Sequence, residues 1–589
     1  MITLHYFQYK IQPKIMKKIL LSIFLFTAAH LYAQKHLTIF EKSNGKESAT
    51  YAACIKYYQQ LTRLSGNIVM KTVGTTDAGY PLHLILISND KTFNPADWHT
   101  QNKVVLMINN GIHPGEPDGI DASMMLARDI VTRKQSLPNN VVLGIIPVYN
   151  IGGSLNRNTS SRVNQDGPVS YGFRGNAQNL DLNRDFIKSD SKEARAFAEI
   201  FHFLNPDILV DNHVSDGADY QHTMTLLTTQ RNKLGGAIGK FLHDTFEPAL
   251  YKGMEAKEFT MCPYVNFETA NPDKGWMAFY DAPRYSSGYA ALFATMAFVP
   301  ETHMLKPFEQ RVKSTYALMQ TIIENAAKLA KEIKAERKAS LEQIKQQQSF
   351  PLIWKADTTK YDMIQFNGYE AAYKKSEVTG MNRLYYDHTK PFTKQVKFYN
   401  YFIGEKIVQK PKAYIIPQGW YKVIELLQLN KVKMQVLQKD SLVKVTAYKI
   451  DNYKASTRPY EKHFKHSAVT LSEQEQSIQF LKGDYIIYTG QICDRFLIET
   501  LEPEADDSYF KWNFFDAILQ QKEGYSDYRW EDVAAKYLEQ HPELRTKLEQ
   551  KKKDDAKFAA SASAQLDFVY KNSPYYEPAH LRYPVYKLK

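Results

Sequence analysis

Asn109-Asn110-Gly111-Ile112-His113-Pro114-Gly115-Glu116-Pro117-Asp118-Gly119 stands between a short apolar run, Val104 to Ile108, and a stretch with helical apolar spacing, Asp121 to Arg133. The run before it has the length and branching of a buried strand; Met124, Met125, Ile130 and Val131 recur as on one helix face. His113 and Glu116 therefore sit in a His-x-x-Glu frame where a strand gives way to a helix. An imidazole and a carboxylate so placed are candidate ligands of a catalytic zinc, which takes three protein N/O ligands at roughly 2.0–2.2 Å and keeps a fourth position for water. A solvent-facing Gly/Pro turn would carry the same two residues, so the frame needs a third ligand from elsewhere.

That partner is sought at the end of another strand. Asp207-Ile208-Leu209-Val210-Asp211-Asn212-His213 is a second apolar run with a histidine after it, and Tyr289 to Pro300 is a third that delivers Glu301. Open α/β sheets gather their sites at the carboxyl ends of strands, so residues distant in sequence can converge there. A carboxylate directly after an apolar strand is costly to desolvate unless it has a partner or a task. Between them, Val141 to Val148 reads as a further buried strand, a polar loop carries Arg157, Arg162 and Arg174 towards Asn179-Leu180-Asp181-Leu182-Asn183-Arg184, and Ser191 to Phe203 reads as a helix. Asp211, Asp216 and Asp219 crowd around His213 as loop formers or partners rather than further ligands, and His303 is expected to be structural.

In this order, His-Pro-Gly-Glu, Asp-Leu-Asn-Arg, a strand-end His and a strand-end Glu resemble the zinc carboxypeptidases related to pancreatic carboxypeptidase A, over roughly Gln34 to Ile333. The resemblance implies an open mixed sheet with helices on both faces and one zinc held by His113, Glu116 and His213. It implies Glu301 as general base, Asp181 orienting the first ligand histidine, and Asn183 with Arg184 holding a substrate's terminal carboxylate. It also calls for an oxyanion arginine, for which Arg162 has the best spacing, and a tyrosine over the substrate, Tyr280 with Tyr285 as its rival. Arg284 lies near where the family sets side-chain preference, which would favour an acidic leaving residue. The implied substrate is a peptide with a free C-terminal carboxylate. A zinc amidase or deacylase acting on cell-wall peptides or acyl-amino acids, and a secreted peptide- or glycan-binding protein on a peptidase scaffold, remain as alternatives; the second would have lost a ligand or the base, and none is lost.

The 589 residues, 44% of them apolar, exceed what one core can hold. Lys17 and Lys18, the apolar run Ile19 to Phe26 and the small-residue exit to Ala33 form a secretory signal, with Met16 a second candidate start. Residues 1–33 are thus expected as a signal peptide, 34–333 as the catalytic domain, 334–351 as a helical linker and 352–589 as an accessory region. That region reads as β-rich α+β with one βαβ unit (Ala413 to Val436), strands over Tyr448 to Thr500 and terminal helices near Phe514 to Glu523 and Trp530 to Lys552. The run after Lys18 is too short to span a bilayer, so no membrane anchor and a periplasmic or secreted location are expected. The formal charge of +12 falls to +8 without Lys10, Lys14, Lys17 and Lys18, and basic and acidic residues interleave, which argues against a nucleic-acid partner. Cys54, Cys262 and Cys493 allow at most one disulfide, and oligomeric state is not readable.

Overall fold

The computed structural model describes residues 36–265 and 272–589, so the signal reading lies outside the described residues. The chain forms two compact units: the first takes the chain up to Gln343 together with Trp354–Ile403, the second Ile344–Ile353 and Gly404–Lys589. No helix among the described residues is long and apolar enough to cross a membrane.

The first unit is built on an eight-stranded sheet. In chain order its strands are β1 (Ile68–Thr75), β2 (Pro81–Ile87), β3 (Val104–Asn110), β4 (Val141–Ile146), β5 (Ile208–Ser215), β6 (Met224–Thr228), β7 (Met261–Pro263) and, after the two-residue β8 (Trp276–Met277) of a second sheet, β9 (Met296–His303). The spatial order is β1-β2-β4-β3-β5-β9-β6-β7. The four central strands β4, β3, β5 and β9 run parallel, and antiparallel β2 and β6 flank them. Every residue of β3, β4 and β5 is buried, as expected of strands covered on both faces. The covering helices include Tyr51–Leu64, Asp118–Val131, Lys192–Leu204 and Phe308–Lys328.

Three expectations need correction here. The run Tyr289 to Pro300 is not one strand: Ser286–Ala291 is helical, and Glu301, like His213, lies within its strand rather than beyond it. The helical linker expected over 334–351 falls largely in the helix Ala330–Gln346, which up to Gln343 is part of the first unit. Its Ile333 and Arg337 are buried, and Arg337 and Lys334 reach the buried Asp207 at 3.2 and 3.0 Å. A charged helical face buries readily when its arginine finds a fixed carboxylate, here the one before β5. Finally, the boundary expected at 352 falls elsewhere, because the hairpin of β11 (Asp362–Lys375) and β12 (Asn382–Tyr399), which follows β10 (Ser349–Ala356), belongs to the first unit and pairs with β8.

The second unit carries β14 (Ala413–Ile416), β15 (Gln435–Val436), β16 (Ser441–Ala455), β17 (His466–Phe480), β18 (Tyr485–Tyr488) and β19 (Tyr586–Leu588), reached along β13 (Phe402–Gln409). Their order, β15-β18-β14-β19-β16-β17, makes β14 and β15 parallel with β18 between them, so the βαβ reading holds with a strand interposed. Asp494–Leu501, expected as strand, is a helix: the Asp494 carboxylate accepts from the backbone N–H groups of Gly490 and Gln491, fixing the turn that starts it. Trp530 to Lys552 is two helices, split before Pro542, which takes the first-turn position of the second, where a missing N–H costs nothing. Cys54, Cys262 and Cys493 are all buried free thiols.

Candidate active site

Adjacent parallel strands bring the distant residues together. β3 ends at Asn110, Gly111 turns with φ +68, and the chain leaves the sheet towards His113. Most side chains pay steric energy at that φ, which is why glycine stands there. On the neighbouring strands His213 pairs in register with Glu301, so base and ligand candidates are one strand apart. Ligand atoms of His113, Glu116 and His213 all lie within 4.8 Å of one another, and all three residues are buried.

Each ligand is held from behind. His113 Nε2 lies 2.9 Å from Asp181 Oδ1, which leaves Nδ1 buried with no hydrogen-bond partner and 3.2 Å from Glu116 Oε1. His213 Nε2 lies 3.2 Å from Asp211 Oδ2 while its Nδ1 faces Glu116 Oε2 at 3.2 Å. Asp211 is in turn bonded by Asn109 Nδ2 at 3.2 Å. Carboxylates behind two imidazoles fix ring orientation and make the inward nitrogens better donors. The Val214 N–H donates to Glu116 Oε2 at 2.9 Å, completing the brace.

The electrostatics favour a cation. Burial opposes the ionisation of Glu116, yet His113, then Arg162, hold its carboxyl well below the usual range. Burial also works against a charged His213, but Asp211 and then Glu116 push its proton affinity well above that of a free imidazole. Asp181 is partly desolvated and still held low, first by His113 and then by Arg174. An inward pair of imidazole nitrogens and a carboxylate, with one nitrogen unpartnered, is the donor set of a hydrolytic zinc, and these residues fit that ion. Glu301, half-buried beside them, is raised to about 8, by desolvation first and by Glu116 against the pull of His213.

A cleft of about 240 Å³ opens on this group and is also lined by Arg162, Arg174, Asn183, Arg184, Tyr264 and Tyr285, among others. The short helical turn Leu182–Arg184 places Asn183 and Arg184: the Asp181 side chain accepts from the Asn183 N–H at 2.9 Å, and the Arg184 guanidinium sits 4.8 Å over the Tyr285 ring. The Asn183 amide oxygen is buried with no protein partner.

Three expected residues are placed otherwise. Arg162 is committed to the ligand itself: its Nη1 donates to Glu116 Oε1 at 2.9 Å, its Nε to Gln165 at 2.6 Å and its Nη2 to Val214 O at 3.3 Å. Arg174, 45% exposed, bonds Asp181 at 2.9 Å, stands 3.6 Å from Glu116 and feels Glu301 electrostatically. Tyr280 is stacked on Phe402 at 5.8 Å and does not line the cleft, whereas Tyr285 does. Arg284 does not line it either; Leu227, Tyr264, Phe279 and Val299 do. Arg174, Tyr285 and Asp211 were reachable from sequence only as members of a set, because loop conformation selects among them. His303 is structural, its Nε2 bonded to Ala218 O at 3.0 Å.

These features make His113, Glu116 and His213 a candidate metal site. A family model described as zinc carboxypeptidase matches residues 54–207, which include His113, Glu116, Asp181 and Arg184; His213 and Glu301 lie beyond the matched stretch. Carboxypeptidase 2 of Trichophyton rubrum is 21% identical over 454 residues, covering 73% of this chain and 77% of that protein. Probable carboxypeptidase 2 of Arthroderma benhamiae is 20% identical over 452 residues, covering 73% and 78%. Among solved structures, carboxypeptidase A from Helicoverpa armigera is similar with a TM-score of 0.37 and 17% identity, over 49% of this chain and 75% of that one. A metallo-carboxypeptidase from Burkholderia cenocepacia has a TM-score of 0.34 and 18% identity, over 47% and 69%. The chain is thus similar to zinc carboxypeptidases across residues 54–207, and to proteins named carboxypeptidase across 73% of its length.

Proposed function

We propose that this protein is an exported zinc carboxypeptidase that removes the C-terminal residue of peptides, with His113, Glu116 and His213 holding one zinc. The observation that carries the reading is the pair of inward Nδ1 atoms, on rings each backed by a carboxylate, around Glu116 and beside the half-buried Glu301. When bound, zinc supplies a Lewis acid and a water whose proton is lost near neutral pH.

The chain's own residues do the rest. Glu301 takes the proton from the attacking water on a carboxylate oxygen and returns it to the departing amine, with a neighbouring cation favouring the ionised form that this needs. Arg174, open to the cleft, donates to the scissile carbonyl oxygen as that oxygen gains charge. Arg162 keeps Glu116 in place. Arg184 grips the terminal carboxylate through parallel N–H bonds, Asn183 adds its amide, and Tyr285 covers the bound end. Apolar Leu227 and Val299, paired across β6 and β9 two residues before Glu301, support a leaving residue without an acidic side chain.

Export rests on the signal-like segment before Gln34. Matched peptides with a free and an amidated C-terminus test the reading: only the free acid should lose one residue. Equal trimming of both would remove the carboxylate fork from the function.

A further inference from the structure

The β11–β12 hairpin lies far along the chain from every residue of the site, yet two of the cleft's wall segments are fastened to it. On one side β12 pairs in parallel with β8, Phe398 with Trp276 and Tyr399 with Met277, and the Ala278 N–H donates to Tyr399 O at 3.0 Å. Residues 278–287 continue from this pairing and bring Phe279, Tyr285, Ser286 and Ser287 to the cleft. Trp276 Nε1 also donates to the carbonyl of Tyr264, another lining residue, at 2.9 Å. On the other side the Gln221 side chain donates to Gly368 O and Phe392 O at 2.9 and 3.0 Å, and His388 pairs with Asp219 at 2.5 Å, so the loop that leaves β5 past Asp216 is held too.

A hydrophobic core joins these attachments. Ala218 and Tyr220 from the loop and Trp276 from the wall pack with Phe366 and Val396 of the hairpin. Contact at the β8 end is close enough to demand glycine. A Cβ on Gly275 would stand 2.2 Å from Lys397 O, and the residue has φ +86, so any side chain forces the strands apart.

We infer that the hairpin Asp362–Tyr399 is a positioning element of the catalytic cleft, with Gly275 and Gln221 the residues through which it sets the walls around the substrate. This rests on the function proposed above. The hairpin belongs to a different sheet from β3 and β5, so its loss should misplace Tyr285, Phe279 and Tyr264 while leaving β3, β5 and their ligands intact.

Two variants of the full-length, zinc-loaded protein test it: Gly275→Ala at one attachment and Gln221→Ala at the other. Hydrogen exchange and kinetics on the peptide that the wild type trims fastest are measured together with bound zinc. We expect unchanged zinc, KM raised about tenfold with a smaller change in kcat, and faster exchange confined to 276–287 in Gly275→Ala and to 216–222 in Gln221→Ala. Wild-type KM and wild-type exchange in both variants would overturn the inference, as would faster exchange spread over β3 and β5. Should the wild type trim no peptide, the functional reading fails, and the exchange pattern still decides whether the hairpin holds the walls.

Discussion

Arg162 Nη1 donates to Glu116 Oε1 at 2.9 Å, so the guanidinium that spacing suggests for the oxyanion is bound to a candidate metal ligand instead. The two arginines should therefore fail differently. Arg162→Ala leaves the buried Glu116 without its nearest guanidinium, and zinc affinity should fall by roughly 10–100-fold, as for other groups that orient ligands. Arg174→Ala should retain zinc and lose about 10²–10³ in kcat, the scale for a removed oxyanion donor. Zinc titration and steady-state kinetics on both variants separate the roles; full activity in Arg174→Ala would return the assignment to Arg162.

Glu301→Gln should keep its zinc and lose activity by several orders of magnitude, because the amide fits the strand but accepts no proton. Metal analysis beside kcat measures this. Turnover like that of the wild type would remove Glu301 from the chemistry.

That His113, Glu116, His213 and Glu301 come together was legible in sequence because each sits near an apolar run that a buried strand explains. The rest was not, for physical reasons. Which of Arg162 and Arg174 bonds Glu116 and which bonds Asp181 depends on the path of the 156–181 loop, which has no period to read. Tyr280 and Tyr285 differ by five residues and by the turn before the helix Ser286–Ala291, which turns one towards Phe402 and the other towards Arg184. The alternation in β11 and β12 marks strands, but nothing in it states that Phe366 packs on Tyr220 and Trp276 at 6.1 and 5.4 Å. Lys334 and Arg337 look solvated until Asp207, over a hundred residues earlier, is placed beside them.

Asp121 carries a pH prediction for stability. It is fully buried, accepts from the Ala49 N–H at 3.2 Å through one oxygen, and leaves the other unpartnered; burial raises its pKa to about 7. Since the folded pKa lies above the ordinary 3.8, the folded chain binds the extra proton between those values, and its contribution to stability is present below about pH 4 and lost as pH rises through 7. The loss is on the order of 4 kcal/mol at most. Asp121→Asn should flatten this part of the denaturant-measured stability profile between about pH 4 and 7. An unchanged slope in the variant would show that Asp121 does not titrate there.

Arg184→Ala should depress kcat/KM for free-acid peptides by 10²-fold or so while leaving any slow turnover of amidated peptides alone. Parallel kinetics on the two substrates check it. An equal loss on both would make Arg184 a support for Asp181, 3.8 Å away, rather than a grip on substrate.

The central claim is that two imidazoles and one carboxylate, drawn from β5 and from the turn after β3, share a single zinc. Anomalous diffraction across the zinc edge, on crystals of the protein grown with one equivalent of the metal, tests it most directly. The account predicts one peak per chain, at roughly 2.0–2.2 Å from His113 Nδ1, Glu116 and His213 Nδ1. A map with no peak among those three side chains, or with the ion seated elsewhere, would contradict it.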